Sequence, residues 1–145
     1  MKIVLQRVKE ASVEVENNII GKINAGFLVL VGITETDNEK TVEYLADKMC
    51  NLRVFNDEQG KMNISIKDTN GELLIVSQFT LYADCSSGNR PSFTKAARPE
   101  KAEILYEYFK EKCKEKNINV QSGKFGADMK IKLVNDGPVT IILEK

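Results

Sequence analysis

The first stretch whose residue types could carry chemistry is Ser77-Gln78-Phe79-Thr80-Leu81, where an apolar run from Leu73 ends in polar side chains. It continues into residues 82–98, a long segment in which apolar residues recur with neither helical nor strand spacing. Long loops of this kind in small domains are often functional. In the functional interpretation, the Ser77 or Thr80 hydroxyl contacts a reacting group and backbone N–H groups form an oxyanion pocket. In the purely structural interpretation, the same hydroxyls are solvated at the end of a strand.

The second such stretch is Asn135-Asp136-Gly137-Pro138-Val139-Thr140, which has the composition of a turn between two apolar runs. Proline at the first position of a strand is ordinary, and X-Pro bonds are cis in only about 5 to 6% of cases. Taken alone, these residues predict an ordinary turn with a trans bond before Pro138.

The chain contains no histidine, and this absence removes most hydrolytic chemistry. Ser-His-Asp and Cys-His arrangements and histidine-ligated zinc are excluded, and no side chain with an ordinary pKa near neutrality is available as a base. The cysteines, Cys50, Cys85 and Cys113, are widely spaced and form no C-x-x-C pair. We therefore expect neither a disulfide framework nor a metal site.

Several other residues give weaker signals. Cys85 has no histidine to deprotonate it and is interpreted as inert. The run Gly123-Lys124-Phe125-Gly126-Ala127 lacks the spacings of the known phosphate-binding glycine loops and predicts a turn. Four basic residues are individually typical of surface charges, although several in one loop could hold a phosphate: Arg7, Arg90, Lys95 and Arg98.

Charge and hydropathy limit the partners and the compartment. The 145 residues carry 21 Lys and Arg against 21 Asp and Glu, so no global positive field attracts long nucleic acid and any RNA contact must be local. The longest apolar stretch, residues 26–33, is too short to span a membrane, and residues 1–7 reach a charge before a signal-peptide core can form. We expect a cytoplasmic protein without a membrane partner.

The elements that must position these residues begin with strands. Runs rich in β-branched residues are interrupted at Asn17-Asn18, which predicts two strands joined by a tight turn. The continuous apolar run at residues 27–33 predicts a fully buried strand. Further strands are predicted at residues 2–8, 11–16, 19–24, 52–55, 73–79, 118–121, 129–135 and 139–143.

Two helices are predicted among these strands. Apolar residues recur at helical spacing over residues 37–51, and Thr36 with Glu39 has the spacing of a capping box. A second helix begins at Pro99 and carries an apolar face to Cys113. The pattern predicts one α/β (α+β) domain over residues 1–145, with a curved, largely antiparallel, barrel-like sheet and two helices.

The two stretches with possible chemistry together resemble the signatures of one family. Residues 77–81 and 135–140 are similar to the SQFTL and NxGPxT motifs of the D-aminoacyl-tRNA deacylases, also called D-tyrosyl-tRNA deacylases. Residues 6–8, 89–93 and 123–129 resemble supporting stretches of that family, in the same order. The likeness covers the whole chain, and neither signature departs from the family pattern.

This resemblance implies an editing hydrolase that cleaves the ester between a D-amino acid, or glycine, and the 3′-terminal ribose of tRNA. It implies a homodimer with active sites at the subunit interface and no metal or organic cofactor. Carried over to this sequence, the first motif surrounds the scissile ester with Ser77, Gln78, Phe79 and Thr80.

The second motif and two further residues are implied to bind the substrate. A Gly137-cis-Pro138 dipeptide enters the partner subunit's pocket and rejects L-amino acids. Arg7 supports that dipeptide, and Met129 belongs to the substrate site. An aminoacyl ester is already activated, so an oxyanion site worth about 2.7 to 4 kcal/mol per donor could suffice without a strong base.

Two other functions stay open at this point. A non-catalytic module could bind an RNA end or a nucleotide by stacking a base on Phe79. A hydrolase of small activated acyl esters would instead show turnover without the tRNA. A deacylation time course with D-aminoacyl-tRNA separates these alternatives.

Overall fold

The computed structural model describes residues 1–145 and contains eight strands and two helices. The strands are β1 (Lys2–Val15), β2 (Asn18–Ile23), β3 (Gly26–Gly32), β4 (Arg53–Asn56), β5 (Met62–Ser65), β6 (Glu72–Ser77), β7 (Asn119–Ser122) and β8 (Lys130–Glu144). The helices are α1 (Glu39–Cys50) and α2 (Pro99–Lys114), with short 3₁₀ turns at Ile66–Asp68 and Phe79–Tyr82.

The main sheet contains six of these strands and is mixed. β1 pairs antiparallel with β2, β3 and β8, whereas β3 with β6 and β6 with β7 are parallel. β4 and β5 form a separate antiparallel hairpin. The predicted fold class is confirmed, with the correction that the antiparallel pairing is concentrated around β1.

The main sheet curls until its edges approach each other. A Cβ built on Gly21 of β2 would lie 3.1 Å from the Ser122 carbonyl oxygen of β7 and 3.2 Å from Leu74 Cδ1 of β6. The absence of a side chain at Gly21 therefore allows the barrel to close nearly completely. Its interior is filled by Val8, Ala11, Val13, Ile23, Leu28, Leu74 and Val76.

The alternation of side chains along each strand divides the core into two parts. On β6, Leu74 and Val76 point into the barrel, whereas Leu73 and Ile75 pack on the opposite face with the helices. The two helices bury the faces predicted from their periodicity, namely Val42, Leu45, Ala46 and Met49 of α1 and Leu105, Tyr106, Phe109 and Cys113 of α2.

The start of α1 differs from the prediction. Its N-cap is Asn38, whose side-chain oxygen accepts the Thr41 N–H at 3.3 Å. The capping box expected for Thr36 and Glu39 is therefore wrong, because the helix begins too late in the sequence for Thr36 to cap it.

Four of the strands also differ from the prediction. β1 and β8 are each one continuous strand where the sequence predicted two. Shifts in the register of the β1–β8 pairing accommodate the residues that interrupt the strand pattern. Pro138 therefore lies inside β8. The strand expected to run to residue 79 ends at Ser77, and β5 was missed because it lies in a polar connection.

Candidate active site

A cavity of about 590 Å³ lies where the parallel strands β3 and β6 end. Its lining includes Val31 and Ile33 from the end of β3 and Val76 and Ser77 from the end of β6. The start of α2, the segment Phe125–Met129 and parts of the chain between the end of β6 and α2 also line it. The carboxyl ends of parallel strands are a common place for ligands, and this volume lies within the range of ligand pockets.

The first motif forms one wall of this cavity. Ser77, Gln78 and Phe79 line it, and Thr80 follows immediately outside the lining, in the 3₁₀ turn, with an exposed side chain. Gln78 Nε2 donates to Thr80 Oγ1 at 2.5 Å, and the Gln78 N–H donates to the Val31 carbonyl oxygen at 2.7 Å. The motif is thus anchored to β3, and the Thr80 hydroxyl is oriented by its neighbour.

Backbone donors are available at the start of the 3₁₀ turn. The N–H groups of Phe79 and Thr80 begin this turn, and the first amides of a helical turn have no partner inside it. Further along, the Leu81 N–H bonds the Gln78 carbonyl oxygen and the Ala83 N–H bonds that of Thr80. A ligand oxygen beside the turn can therefore accept from its first amides.

Most of the remaining cavity surface is apolar. The rings of Phe79 and Phe93 pack edge to face, with centroids 5.1 Å apart at 72°. Met129, predicted as a substrate residue, lines the cavity. The one charged residue of the lining is Asp128, whose side chain is 87% exposed and pairs with Lys130 at 2.6 Å.

The tyrosines near the cavity do not supply a base at neutral pH. Burial, together with the charges of Asp37 and Glu144, raises the pKa of Tyr82 to about 12. Burial also raises the pKa of Tyr106 well above its usual range, and its hydroxyl donates to the Ile75 carbonyl oxygen at 2.8 Å. Both phenols remain protonated where an ester enzyme works.

The second motif lies apart from this cavity. Gly137 and Pro138 are exposed and do not line it. Residues 136–139 face Arg7 between the pairs Gln6–Thr140 and Val8–Asn135, so they bulge from the β1–β8 ladder. The Gly137–Pro138 peptide bond is cis, as the resemblance implied and contrary to the turn sequence taken alone. One chain therefore does not bring the two motifs together.

Arg7 holds the second motif in place. Its side-chain type predicted a surface charge, but the residue is only 7% exposed. Its Nε donates to the Asp136 carbonyl oxygen at 2.9 Å, and its Nη1 donates to the Val54 carbonyl oxygen of β4 at 2.6 Å. The guanidinium thereby joins β4 to the bulge, a role that its position in an alternating strand could not reveal.

Comparison with known families identifies the chain. Residues 4–144 match the family model described as D-Tyr-tRNA(Tyr) deacylase. The chain belongs to this deacylase family. A D-aminoacyl-tRNA deacylase of Exiguobacterium sp. is 58% identical over 145 residues, covering 100% of this chain and 99% of the relative. The D-aminoacyl-tRNA deacylase of Thermosipho africanus is 56% identical over 144 residues, covering 99% and 97%.

Two solved structures share the fold of this deacylase-family chain. One, described as a c-Myc DNA unwinding element binding protein, has a TM-score of 0.93 and 44% identity, covering 100% of this chain and 99% of the other. The second, described as a probable eukaryotic D-amino acid tRNA deacylase, has a TM-score of 0.84 and covers 98% and 97%. At 16% identity, this second likeness shows the fold alone.

Sequence reasoning missed one residue that shapes the site of this family member. A Cβ on Gly32, at the end of β3, would lie 3.0 Å from Leu81 Cβ and 3.1 Å from the Gln78 carbonyl oxygen. The missing side chain lets the 3₁₀ turn pack directly on β3. A glycine at the end of the predicted buried strand was the available signal, but it gave no indication of what approaches it.

The weaker candidates lie around the site or away from it. Cys85 is exposed in the loop after the first motif, whereas Cys50 and Cys113 are buried. Lys95 pairs with Asp84 at 2.9 Å. No three His, Cys, Asp or Glu side chains lie close enough together to hold a metal ion. Neither helix has the length and apolar character needed to cross a membrane.

Proposed function

We propose that this protein hydrolyses the ester that links a D-amino acid, or glycine, to the 3′-terminal ribose of tRNA, and so edits aminoacyl-tRNA in the cytoplasm. The observation that carries the proposal is the cavity of about 590 Å³ that has the first motif as one wall. Its apolar lining suits an amino-acid side chain and a nucleobase, and the amides of the 3₁₀ turn suit an ester carbonyl. The relatives named D-aminoacyl-tRNA deacylase support the same substrate class.

The proposed reaction depends on positioning and on oxyanion stabilisation. The N–H groups of Phe79 and Thr80 hold the ester carbonyl oxygen as negative charge develops, each contributing about 2.7 to 4 kcal/mol. Ser77 lines the site, and Gln78 orients the Thr80 hydroxyl beside the ester. Water adds to the carbonyl carbon with help from the adjacent ribose 2′-hydroxyl, and the bond to the 3′ oxygen breaks. The products are the free amino acid and the tRNA 3′-hydroxyl.

Chiral selection is assigned to the second motif. Because Gly137 and Pro138 are exposed and lie outside their own chain's cavity, we place them in the cavity of a second copy in a homodimer. Arg7 supports the dipeptide through its bond to the Asp136 carbonyl oxygen. An L side chain is then directed into the dipeptide, whereas a D side chain points away and glycine has no side chain to exclude. Met129 lines the substrate side of the same cavity.

A deacylation time course tests the activity. D-tyrosyl-tRNA, L-tyrosyl-tRNA and glycyl-tRNA are incubated with the protein, and the ester that remains is measured. The D and glycyl esters should be hydrolysed while the L ester survives. Equal loss of both tyrosyl enantiomers would contradict the proposed selection, and turnover of a small activated acyl ester as fast as that of tRNA would favour a general esterase.

A dilution series tests the shared site. Sedimentation and specific activity are measured on the same samples across the dissociation range. Activity should fall in parallel with the dimer fraction, because each cavity then lacks the partner's dipeptide. A fully active monomer would contradict the homodimeric site.

Nucleic-acid binding without catalysis is the second candidate. The exposed Phe79–Phe93 pair favours it, since exposed aromatic rings stack unpaired bases. A solved relative is described as a DNA unwinding element binding protein, which agrees with this candidate. Binding of tRNA without any loss of D-aminoacyl ester would establish it in place of the deacylase.

A further inference from the structure

The cavity is large enough for only part of an RNA 3′ end. Its volume of about 590 Å³ matches pockets that enclose a drug-sized ligand, such as one nucleoside with its attached amino acid. The proposed substrate continues as single-stranded RNA, so the preceding nucleotide has to cross the mouth of the cavity. This inference rests on the proposed function and concerns the residues at that mouth.

An exposed aromatic ring stands at the mouth. Phe93 belongs to the long segment after the first motif, lines the cavity and is 37% exposed. Phe79, its edge-to-face neighbour, is 57% exposed. Large apolar rings this open to water can stack on an unpaired base, an interaction that is tolerant of base identity.

Two cations lie next to residues that line the cavity, on different elements. Arg98 directly precedes Pro99 at the start of α2, and Lys124 directly precedes Phe125 of the opposite segment; both Pro99 and Phe125 line the cavity. The side chains of Arg98 and Lys124 are exposed, and neither forms a salt bridge.

None of the acidic side chains in this region forms a salt bridge with Arg98 or Lys124. Asp84 pairs with Lys95 at 2.9 Å and Asp128 with Lys130 at 2.6 Å. The Glu35 carboxylate accepts the Arg98 backbone N–H at 2.7 Å, and Glu100 is exposed. Arg98 and Lys124 are therefore unpaired, and contacts with one or two phosphates agree with the zero net charge of the chain.

From this placement we infer that Phe93, Arg98 and Lys124 form a subsite for the penultimate nucleotide of a single-stranded RNA 3′ end. Phe93 stacks on its base, and Arg98 and Lys124 bind the phosphodiester that joins it to the terminal nucleotide. The subsite contributes binding energy outside the reacting centre, so its effect belongs in KM and not in kcat.

The test compares two synthetic substrates of different length. One is 3′-O-D-tyrosyl-adenosine, which ends before the subsite, and the other is the D-tyrosyl ester of the trinucleotide CCA. Wild-type protein should prefer the CCA ester in kcat/KM. Phe93→Leu should lower kcat/KM for the CCA ester about 5- to 150-fold through KM, a larger factor than the same variant shows on the adenosine ester.

The two cations are tested through the dependence on salt. Arg98→Gln and Lys124→Gln should each raise KM for the CCA ester. Together they should reduce the slope of log kcat/KM against log salt concentration by about 0.7 for each phosphate that the variant no longer neutralises. The matched controls on α1, Tyr44→Leu and Lys48→Gln, replace an exposed aromatic residue and an exposed lysine that do not line the cavity, and they should leave kcat/KM for both substrates unchanged.

Direct binding keeps this inference separate from the proposed activity. A 5′-fluorescein-labelled CCA trinucleotide is titrated with each variant and followed by fluorescence anisotropy. If wild-type protein binds it and the subsite variants do not, the subsite stands even when no ester is hydrolysed. Equal binding by the Phe93, Arg98 and Lys124 variants, or an equal loss of activity on the adenosine ester, would overturn it.

Discussion

The two signature motifs of this chain are held in opposite ways. The first follows a buried strand, lines a cavity and is anchored by the bond of the Gln78 N–H to the Val31 carbonyl oxygen at 2.7 Å. The second is an exposed bulge in β8, flanked by ladder pairs at Asn135 and Thr140, and its Asp136 carbonyl oxygen accepts a bond from the Arg7 side chain. The first motif builds a concave surface and the second a projection.

This difference indicates how the site is organised. A concave surface can enclose a substrate by itself, whereas a projecting segment can contact an enclosed substrate only by entering a cavity. Gly137 and Pro138 do not line the cavity of their own chain, so within one chain the projection does not contact the surface formed by the first motif. We therefore expect the second motif to depend strongly on Arg7, the side chain of another strand that bonds its bulged backbone, whereas the first should tolerate the removal of one side chain.

The largest effect is expected from removing that support. Arg7→Met should lower the free energy of unfolding by about 3 kcal/mol, because the buried carbonyl oxygen of Val54 and the partly buried one of Asp136 lose a charged donor. Chemical denaturation measures the change. Arg53→Met, an exposed arginine of β4, is the control and should stay within about 0.5 kcal/mol of wild type. Equal stability of the two variants would show that Arg7 is not the main support.

The next effect concerns the projection itself. Gly137 has a φ of +135°, and an added Cβ would lie 2.8 Å from Val139 Cγ2 and 3.2 Å from Arg7 Nη2. Gly137→Ala should therefore lower kcat/KM about 5- to 150-fold for D-tyrosyl-tRNA and glycyl-tRNA alike, equivalent to about 1 to 3 kcal/mol.

A second glycine controls for backbone strain. Gly60→Ala introduces a side chain at a φ of +76° where nothing lies within 4 Å, and it should leave the deacylation rate unchanged. If both variants lose activity equally, the close neighbours of Gly137 are not the cause. If neither does, the projection is not part of the site.

A smaller effect is expected in the first motif. Thr80→Ala removes the hydroxyl that accepts from Gln78 and should slow turnover about 2- to 12-fold without abolishing it, since the backbone N–H groups remain. Replacing the substrate's terminal 2′-hydroxyl by hydrogen should cost more. Single-turnover deacylation measures both changes, and a trapped aminoacyl ester on Thr80 would contradict the positioning role.

The smallest effect is a pH dependence near the first motif. Tyr82 ends the 3₁₀ turn, and its pKa is about 12 in the folded protein against 10.0 ordinarily. Between these values the folded state keeps a proton that the unfolded chain releases, so stability should fall as the pH rises from about 10 to about 12. Tyr82→Phe should flatten this decline in chemical denaturation, and the part that remains comes from other groups with a raised pKa, which include Tyr106 and Tyr108. An unchanged slope would show that Tyr82 is not the group responsible.

Much of the fold was predictable because it depends on local pattern. The apolar periodicity of residues 37–51 and 99–113 identified both helices and their buried faces. The continuous apolar run at residues 27–33 identified β3, and the absence of histidine excluded the common hydrolase triads. These conclusions follow from short stretches of sequence or from the composition, and both are properties of the chain that do not depend on its folding.

The tertiary structure decided which of these residues meet. Arg7 becomes buried because the bulge at residues 136–139 and the end of β4 close over it, and both lie far from it in the sequence. Phe125 and Met129 join the first motif because β6 pairs in parallel with both β3 and β7, which carries three chain segments to one edge. No local propensity encodes such pairings, since their free energy comes from burying surfaces that are contiguous only after the sheet has curled.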